Sequence, residues 1–211
     1  MSNIFSTTTA DRANESSLFV ATNPTRGTAI VTGNAQATFS ATVPHFVIKN
    51  NAASGSGVRT WLHSINMNMV TVAGSVTSVQ SAIVIDTGDR TPTAGSVAIT
   101  PVNTVPGGKV STTQLWVGTA ANLTVPAESS ARTIARRQIR GGLNVIVDEY
   151  EMKFGCDDQS IKMANGAVGT FSTQFPALCL LPQQFALVHL WWLGAAAATM
   201  SYEFDMVLSE R

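Results

Sequence analysis

The chain has 211 residues, and its 13 Lys and Arg balance 13 Asp and Glu, so that only 12% of its positions are charged. Thr, Ser, Ala and Val fill 91 positions, whereas the Leu, Glu and Lys typical of helical surfaces are scarce. This composition excludes a coiled coil, a helical bundle and a highly charged tail. The hydrophobic share of 45% excludes a disordered chain, and the length allows one domain.

Residues 1–17 are polar and have no hydrophobic periodicity, so we expect an extended N-terminal arm. Ile4 and Phe5 are its candidate contact residues. The arm carries one arginine, Arg12, beside two carboxylates, too little positive charge to neutralise nucleic-acid phosphates. It also lacks the basic and apolar regions of a secretory signal. We therefore predict an arm that contacts protein and does not bind the genome.

From residue 18 onward, short segments with period-2 alternation follow one another, separated by turn signals. The segments are residues 17–23, 28–32, 35–42, 45–49, 61–69, 76–86, 96–101, 114–119, 131–140, 144–154, 166–175, 185–193 and 200–208. Even spacing of short strands is typical of sandwiches and barrels. Uneven strand lengths and long loops favour an all-β, jelly-roll-type antiparallel β-sandwich over residues 18–211.

Two of these segments alternate most clearly. Strict alternation in residues 61–69 predicts that Trp61, His63 and Ile65 share one face with Met67 and Met69. In the last segment one face would hold Met200, Tyr202, Phe204, Met206 and Leu208. We expect this last strand to tie the C-terminus of the chain into a sheet.

The segment 131–140 contains four of the nine arginines, namely Arg132, Arg136, Arg137 and Arg140. Alternation predicts one face with Arg132, Ile134, Arg136, Gln138 and Arg140, and Arg137 opposite. The guanidinium group suits bidentate recognition of carboxylates, so this segment could dock an acidic partner or a neighbouring subunit. An edge strand protected by charge from aggregation explains it equally well. Contact with DNA phosphates is a weaker reading, because acidic residues follow closely.

Trp191 and Trp192 are adjacent, and adjacent residues of a strand point to opposite faces. One indole should therefore fill the core, and the other should face outward. An outward Trp on a β-surface usually marks a protein contact or a sugar platform. The alternative is that a loop or a second sheet covers both rings.

The residues that could bind a metal do not form a recognisable ligand set. His45, His63 and His189 lie in or beside strands, and we interpret them as hydrogen-bonded core or interface residues. Cys156 and Cys179 match no zinc spacing. We favour free thiols over a disulfide for them, as in a reducing compartment. No metal and no cofactor are expected.

Signals of an enzyme or a membrane protein are also missing from the sequence. Asp86-Thr87-Gly88 has the order of an aspartic-protease motif, but that mechanism needs two such carboxylates. A turn, with Asp86 bonded to its own backbone and Gly88 at positive φ, explains it better. No nucleophile elbow, Walker loop or zinc-protease motif occurs. No segment reaches the roughly 18 apolar residues of a membrane helix. We therefore expect a protein without catalytic residues or a membrane partner.

The low-charge, single-domain pattern and the segments HFVIKN, SAIVIDTGDRTPTAG, ITPVNT and MSYEFDMVLSER resemble virion jelly-roll proteins. In particular, the chain resembles the capsid decoration (cement) proteins of tailed bacteriophages, which are often trimeric. The resemblance implies a structural protein made in the host cytoplasm and located on the virion surface. Its partners would be other copies of itself, as a homotrimer, and the major capsid protein.

Three alternatives remain open at this point. One is a carbohydrate- or receptor-binding module of a phage head or tail fibre, with a glycan or receptor as partner. Another is a single-jelly-roll major coat protein, in which the missing basic arm argues against RNA packaging. The third is a hydrolase on the same scaffold, which would require a histidine and an acid to converge in a cleft.

Overall fold

The computed structural model describes residues 17–25, 27–34, 36–71, 78–119, 121–127, 130–141, 148–155, 170–194 and 199–211. For residues 32–34, 140, 141, 170 and 199 it describes the backbone alone. The predicted arm, including Ile4 and Phe5, lies outside the described residues except for Ser17, which is buried beside the first strand.

The described residues form fourteen β-strands and no helix. The strands are β1 (Leu18–Thr22), β2 (Ile30–Asn34), β3 (Phe46–Asn50), β4 (Thr60–Thr71), β5 (Ser78–Asp86), β6 (Ser96–Ile99), β7 (Val102–Asn103), β8 (Thr113–Gly118), β9 (Arg132–Gly141), β10 (Glu149–Phe154), β11 (Thr170–Phe175), β12 (Leu178–Leu180), β13 (Phe185–Leu193) and β14 (Thr199–Glu210). The Thr- and Val-rich alternation seen in the sequence forms these strands, because β-branched side chains pack well on a pleated surface.

The strands build two sheets. Sheet A has the order β11-β10-β4-β14-β1-β7, with β2 also paired to β14 and β12 to β4. Sheet B has the order β6-β8-β3-β13-β5-β9. All of these pairs are antiparallel except β10 with β11. The predicted all-β, mostly antiparallel sandwich is confirmed.

The chain crosses repeatedly between the two sheets. Eight strands show this: β1 lies in sheet A, β3 in sheet B, β4 in sheet A, β5 and β9 in sheet B, β10 in sheet A, β13 in sheet B and β14 in sheet A. The last strand, β14, lies between β1 and β4, and β13 lies between β3 and β5. Strands distant in sequence are therefore neighbours in both sheets, as in Greek-key connections.

The main core lies between the sheets and draws side chains from both. In β14 the predicted alternation is confirmed. The buried side chains are Met200, Tyr202, Phe204, Met206 and Leu208. Each fully buried side chain of this size contributes on the order of 2 kcal/mol of hydrophobic free energy. The core thus fastens the C-terminal strand in the middle of sheet A.

In β4 the predicted face is confirmed for Ile65, Met67 and Met69, which are buried in the core, and is wrong for Trp61 and His63. Leu62 and Ile65 are both in the core, whereas Trp61 and His63 are not. The pairing with β14 passes from Leu62 directly to Ser64, which leaves His63 as the extra residue of a β-bulge. A bulge shifts the alternation by one residue, so that the His63 ring instead contacts Ser209 Oγ at 2.9 Å.

The outer face of sheet B is also buried, under loop residues. Phe185, Leu187 and Val84 form a second apolar cluster with Leu123 and Val125. The covering loops bind to the sheet and to each other through backbone hydrogen bonds, from Trp192 N to Gln36 O (2.8 Å) and from Val125 N to Thr42 O (3.0 Å).

The segment 35–42 was predicted to be a strand, but its described residues, 36–42, belong to this covering loop. β3 pairs with β13 only at Phe185, Ala186, Leu187 and Val188. Beyond that pairing Gln36 O accepts a backbone hydrogen bond from Trp192 N, so the segment lies beside β13 without forming a ladder with it.

A buried carboxylate joins the two sheets at one end of the sandwich. Glu210, on β14, accepts hydrogen bonds from Ser111 Oγ (2.5 Å), Thr112 N (2.9 Å) and Thr113 N (2.9 Å) at the start of β8. Thr60 and Thr113 also share a hydroxyl hydrogen bond of 2.8 Å between sheets A and B. Buried hydrogen bonds to a carboxylate are among the stronger ones. They hold the two sheets together at this end of the sandwich.

Candidate interaction surfaces

Three of the predicted arginines lie exposed on the outermost strand of sheet B. Arg132, Arg136 and Arg137 are on β9, which pairs with β5 on one side and ends the sheet on the other. We call these three residues the arginine edge. Arg140 pairs with Val79 through its backbone, and its side chain lies outside the described part of the chain. The edge-strand position is thus confirmed, and a docking role remains a prediction.

The prediction that the arginines form one row on a single face is wrong. The pairing of β9 with β5 skips Ile134 and Ile139, so that two irregularities interrupt the alternation. Ile134 packs against the main core, whereas Arg136 contacts aromatic rings on the opposite face of the sheet. Each bulge adds one residue and reverses the facing of those that follow.

Trp191 and Trp192 point to opposite faces of β13, as predicted, but neither indole ring is exposed to solvent. Trp192 is fully buried in the main core, with its ring centroid 5.0 Å from that of His45. Trp191 points outward and is only 7% exposed. Phe39 of the covering loop lies edge-on to it at 5.7 Å, and the Arg136 guanidinium lies 5.4 Å from its ring.

The expectation of an exposed indole is therefore wrong. A loop covers the outward ring, which was the alternative reading of the sequence. Solvent instead reaches Phe39, which is 36% exposed, and Arg136 beside it. Arg136 lies over both rings, 5.6 Å from Phe39 and 5.4 Å from Trp191. These cation–π contacts hold the guanidinium in place at the surface.

The outer face of sheet A carries a cluster of carboxylates that the sequence analysis did not single out. Glu149 and Glu203 both lie opposite Asn68 on β4, and Glu151 and Asp205 both lie opposite Asn66. We call these four acidic residues the acidic face. Alternation within β10 and within β14 predicts that the two carboxylates of each strand lie on the same face of the sheet. Only the strand order brings the carboxylates of the two strands together across β4.

The carboxylates of the acidic face are close enough to influence one another. Partial burial raises the pKa of Asp205, and the charges of Glu149 and Glu151 raise it further, while a hydrogen bond from Asn66 opposes them. That bond runs from Asn66 Nδ2 to Asp205 Oδ2 at 2.8 Å. One cation is nearby, since Lys153 Nζ lies 3.0 Å from Glu151 Oε1. The face is therefore negatively charged overall.

Asp86 forms a turn, as predicted, and also a buried ion pair. Its Oδ1 accepts hydrogen bonds from Gly88 N (2.8 Å) and Ser130 Oγ (2.6 Å), and its Oδ2 lies 3.3 Å from Arg90 Nη1. Both charged side chains are fully buried. The predicted positive φ at Gly88 is wrong, because the described glycines with positive φ do not include it. The Asx turn forms without a left-handed residue.

A pocket of about 250 Å³ opens beside this turn. Its lining residues are Ile85, Asp86, Thr87, Ser130, Arg132 and Gln184. The Asp86 carboxylate is already occupied by its backbone, hydroxyl and guanidinium partners. In this arrangement it serves to hold the loop and does not act as a free base.

His45 and His189 are buried close to each other near Arg90. Burial, followed by the charge of His189, lowers the pKa of His45 from 6.5 to about 3. Burial, followed by the charge of Arg90, lowers the pKa of His189 to about 4, although the backbone at Ser40 and Val43 opposes the shift. Neither ring nitrogen of His189 has a hydrogen-bond partner of good geometry. Both rings are therefore neutral at pH 7.

The described residues contain no group of three or more His, Cys, Asp or Glu side chains placed to hold a metal ion. Cys179 is a free, partly buried thiol, and burial raises its pKa, with Arg59 opposing. Cys156 lies outside the described residues. The same part of the chain contains no helix long and apolar enough to cross a membrane.

The surfaces that stand out are thus an arginine edge on sheet B, an acidic face on sheet A and a loop-covered aromatic cluster between Arg136 and His189. Comparisons of the chain with protein-family models, with curated proteins and with solved structures found no match.

Proposed function

We propose that this chain is a structural protein of a virus particle, one that forms a homotrimer and binds the outside of the capsid to stabilise it. The strand order is the observation that supports this proposal. In spatial order, eight of the strands divide into β1, β14, β4 and β10 in one sheet and β3, β13, β5 and β9 in the other. This order is compatible with the double Greek-key arrangement of a jelly roll, a fold that is common among capsid proteins.

The surface chemistry supports assembly from many copies. The chain is neutral overall, yet its outer face on sheet A is acidic and its edge strand on sheet B is basic. Complementary patches of this kind guide specific association. A low overall content of charge reduces the desolvation cost of extensive contacts. The arm, with Ile4 and Phe5, could add to a free sheet edge of a neighbouring molecule.

A second candidate function, a single-jelly-roll major coat protein, is favoured by the same strand order. The glycan-binding alternative is less well supported, because the larger outward ring, Trp191, is covered by the Phe39 loop. A sugar platform needs an accessible aromatic face. Phe39 is left as the more exposed ring of this cluster.

The test uses the purified full chain and capsids, lacking this chain, of a virus that encodes it. We expect discrete oligomers that bind the outside of these capsids and raise the temperature at which the capsids open. Closed shells formed by the chain alone would favour the coat-protein function. Sugar binding on a glycan array, without any affinity for the capsids, would overturn the proposal.

A deletion of residues 1–16 tests the arm in the same assay. It leaves β1 complete and retains Ser17, whose carbonyl accepts a hydrogen bond from Glu210 N at 2.9 Å. We expect weaker capsid binding with unchanged thermal unfolding of the domain. Unchanged affinity for the capsid would show that the arm is not the anchor.

A further inference from the structure

We propose that copies of this chain associate head to tail, with the arginine edge of one copy docked on the acidic face of the next. The proposal rests on the self-association in the proposed function and specifies its contact. The partner of each surface is a second copy of the chain.

The acidic face is a partly exposed surface on the outer side of sheet A. Glu149, Asn68 and Glu203 form one row across three strands, and Glu151, Asn66 and Asp205 form the next. Neighbouring strands are about 4.8 Å apart and alternate residues about 7 Å apart, so the four carboxylates span roughly 10 Å by 7 Å. Exposed Val70 and Val31 lie at one end of it, on either side of Ser201. The surface thus offers carboxylates beside apolar side chains.

The arginine edge has the matching properties. Arg132, Arg136 and Arg137 are exposed, and within the described residues none of them forms an ion pair. Arg136 is held over Phe39 and Trp191, so it loses little conformational freedom when it binds. Arginine stems also cover apolar surface while their guanidinium groups bind carboxylates. Such a strand fits a surface that combines carboxylates and valines.

The acidic face and Arg136 lie on opposite outer faces of the sandwich, although β9 itself packs beside β11, the neighbour of β10. The acidic face is the outer side of sheet A, whereas Arg136 lies on the outer side of sheet B, beyond the core. In a sandwich the sheets are about 10 Å apart, which keeps the acidic face and Arg136 of one copy apart. A contact between two different patches is heterologous, and it closes into a ring when the rotation between copies allows it. A cyclic trimer is such a ring.

The test is a charge swap in the full chain. One variant carries Arg132→Glu and Arg137→Glu, which leaves the ring contacts of Arg136 intact. The other carries Glu203→Lys and Asp205→Lys. Each variant alone places like charges in contact, so we expect its apparent Kd for self-association to rise about tenfold or more. Mixed in equal amounts, the two variants regain opposite charges at each contact between unlike copies, so association of unlike pairs should return. A ring of three cannot alternate the two variants, and it would keep at least one contact between like charges.

A matched control carries Arg59→Glu and Arg211→Glu, the same change of net charge at other positions, and should associate like the wild type. The contact between the two surfaces should also weaken as salt rises, since screening shortens the reach of exposed charges. Sedimentation velocity measures all of these species, and thermal unfolding checks that each variant is folded.

The outcomes separate this contact from the proposed function. Wild-type oligomers that persist in both variants, or a mixture no better than either variant alone, would overturn the head-to-tail contact and leave self-association standing. An arginine variant that self-associates normally but no longer binds capsids would place the arginine edge against the capsid and also overturn the contact. A wild type that stays monomeric would overturn both the contact and the proposed function.

Discussion

Replacement of Asp86 by alanine should lower the free energy of unfolding by about 3–5 kcal/mol. Asp86 and Arg90 are fully buried and 3.3 Å apart, so the variant leaves an uncompensated buried guanidinium. It also removes the acceptor for Gly88 N and Ser130 Oγ. Arg90 Nη2 would retain only its bond to Ala41 O, at 2.6 Å. Urea denaturation followed by fluorescence of the buried tryptophans measures the change.

Asp89→Ala is the matched control, since it removes a carboxylate three residues away in the same turn. The Asp89 carboxylate is exposed and accepts hydrogen bonds from Thr91 N (2.9 Å) and Thr91 Oγ1 (2.6 Å). Its loss should cost about 1 kcal/mol or less. Equal effects of the two variants would contradict the assigned role of the buried ion pair.

Acidification should destabilise the fold through His45 and His189. The folded state holds their pKa values at about 3 and about 4, whereas in the unfolded chain both titrate near 6.5. As the pH falls below about 6.5, the two histidines bind protons in the unfolded state but not in the folded state. The stability from the neutral rings is therefore complete above pH 6.5 and is lost progressively toward pH 4 and pH 3. At pH 5 the loss is about 2 kcal/mol per histidine.

The measurement is urea denaturation of the wild type and of a variant with His45→Gln and His189→Gln, at pH 7.5 and pH 5 in each case. The variant is less stable at neutral pH, but its stability should fall less on acidification, because Gln takes up no proton. His63→Gln is the control. Burial lowers the pKa of His63 as well, but this side chain is only partly buried and bonds to Ser209 Oγ, so its removal should change the pH dependence less. A wild type and a double variant with the same pH dependence would contradict the prediction.

Protonation of His189 would affect the protein surface as well as the core. His189 lies against Phe39, with ring centroids 4.9 Å apart, and Phe39 in turn lies under Arg136. A proton on His189 would place a third positive charge near Arg90 and Arg136. The covering loop, which holds Phe39, is the element that this repulsion would displace.

The fold could be predicted from the sequence wherever strict alternation holds. In β14 every second side chain is buried, from Met200 to Leu208, because the extra residue at each irregularity of its pairing with β4 lies on β4. The Asx turn at Asp86 follows from local chemistry, in which a carboxylate accepts the N–H two residues later.

The errors arose where the alternation shifts. A bulge at His63 moves Trp61 off the core face, and irregularities at Ile134 and Ile139 divide the arginines between faces. A single sequence contains no rule for the position of a bulge, because the extra residue is fixed by the partner strand. Trp191 was misplaced for a related reason, since the loop that covers it comes from residues about 150 positions earlier.

The candidate surfaces were predictable only in part. The cluster of arginines is contiguous in sequence and could be found directly. The acidic face combines Glu149 and Glu151 with Glu203 and Asp205, which are more than 50 positions away. Their proximity depends on β4 lying between β10 and β14. From the sequence alone, one can predict that the two carboxylates of each strand share a face. Which strands are adjacent in the sheet cannot be predicted.

Self-association is tested most directly by the mass of the purified wild-type chain in solution. Sedimentation measures this mass over a range of concentrations. We predict a discrete species of three times 22.2 kDa that dissociates on dilution and with added salt. A single 22.2 kDa species at every concentration and salt level would contradict the account.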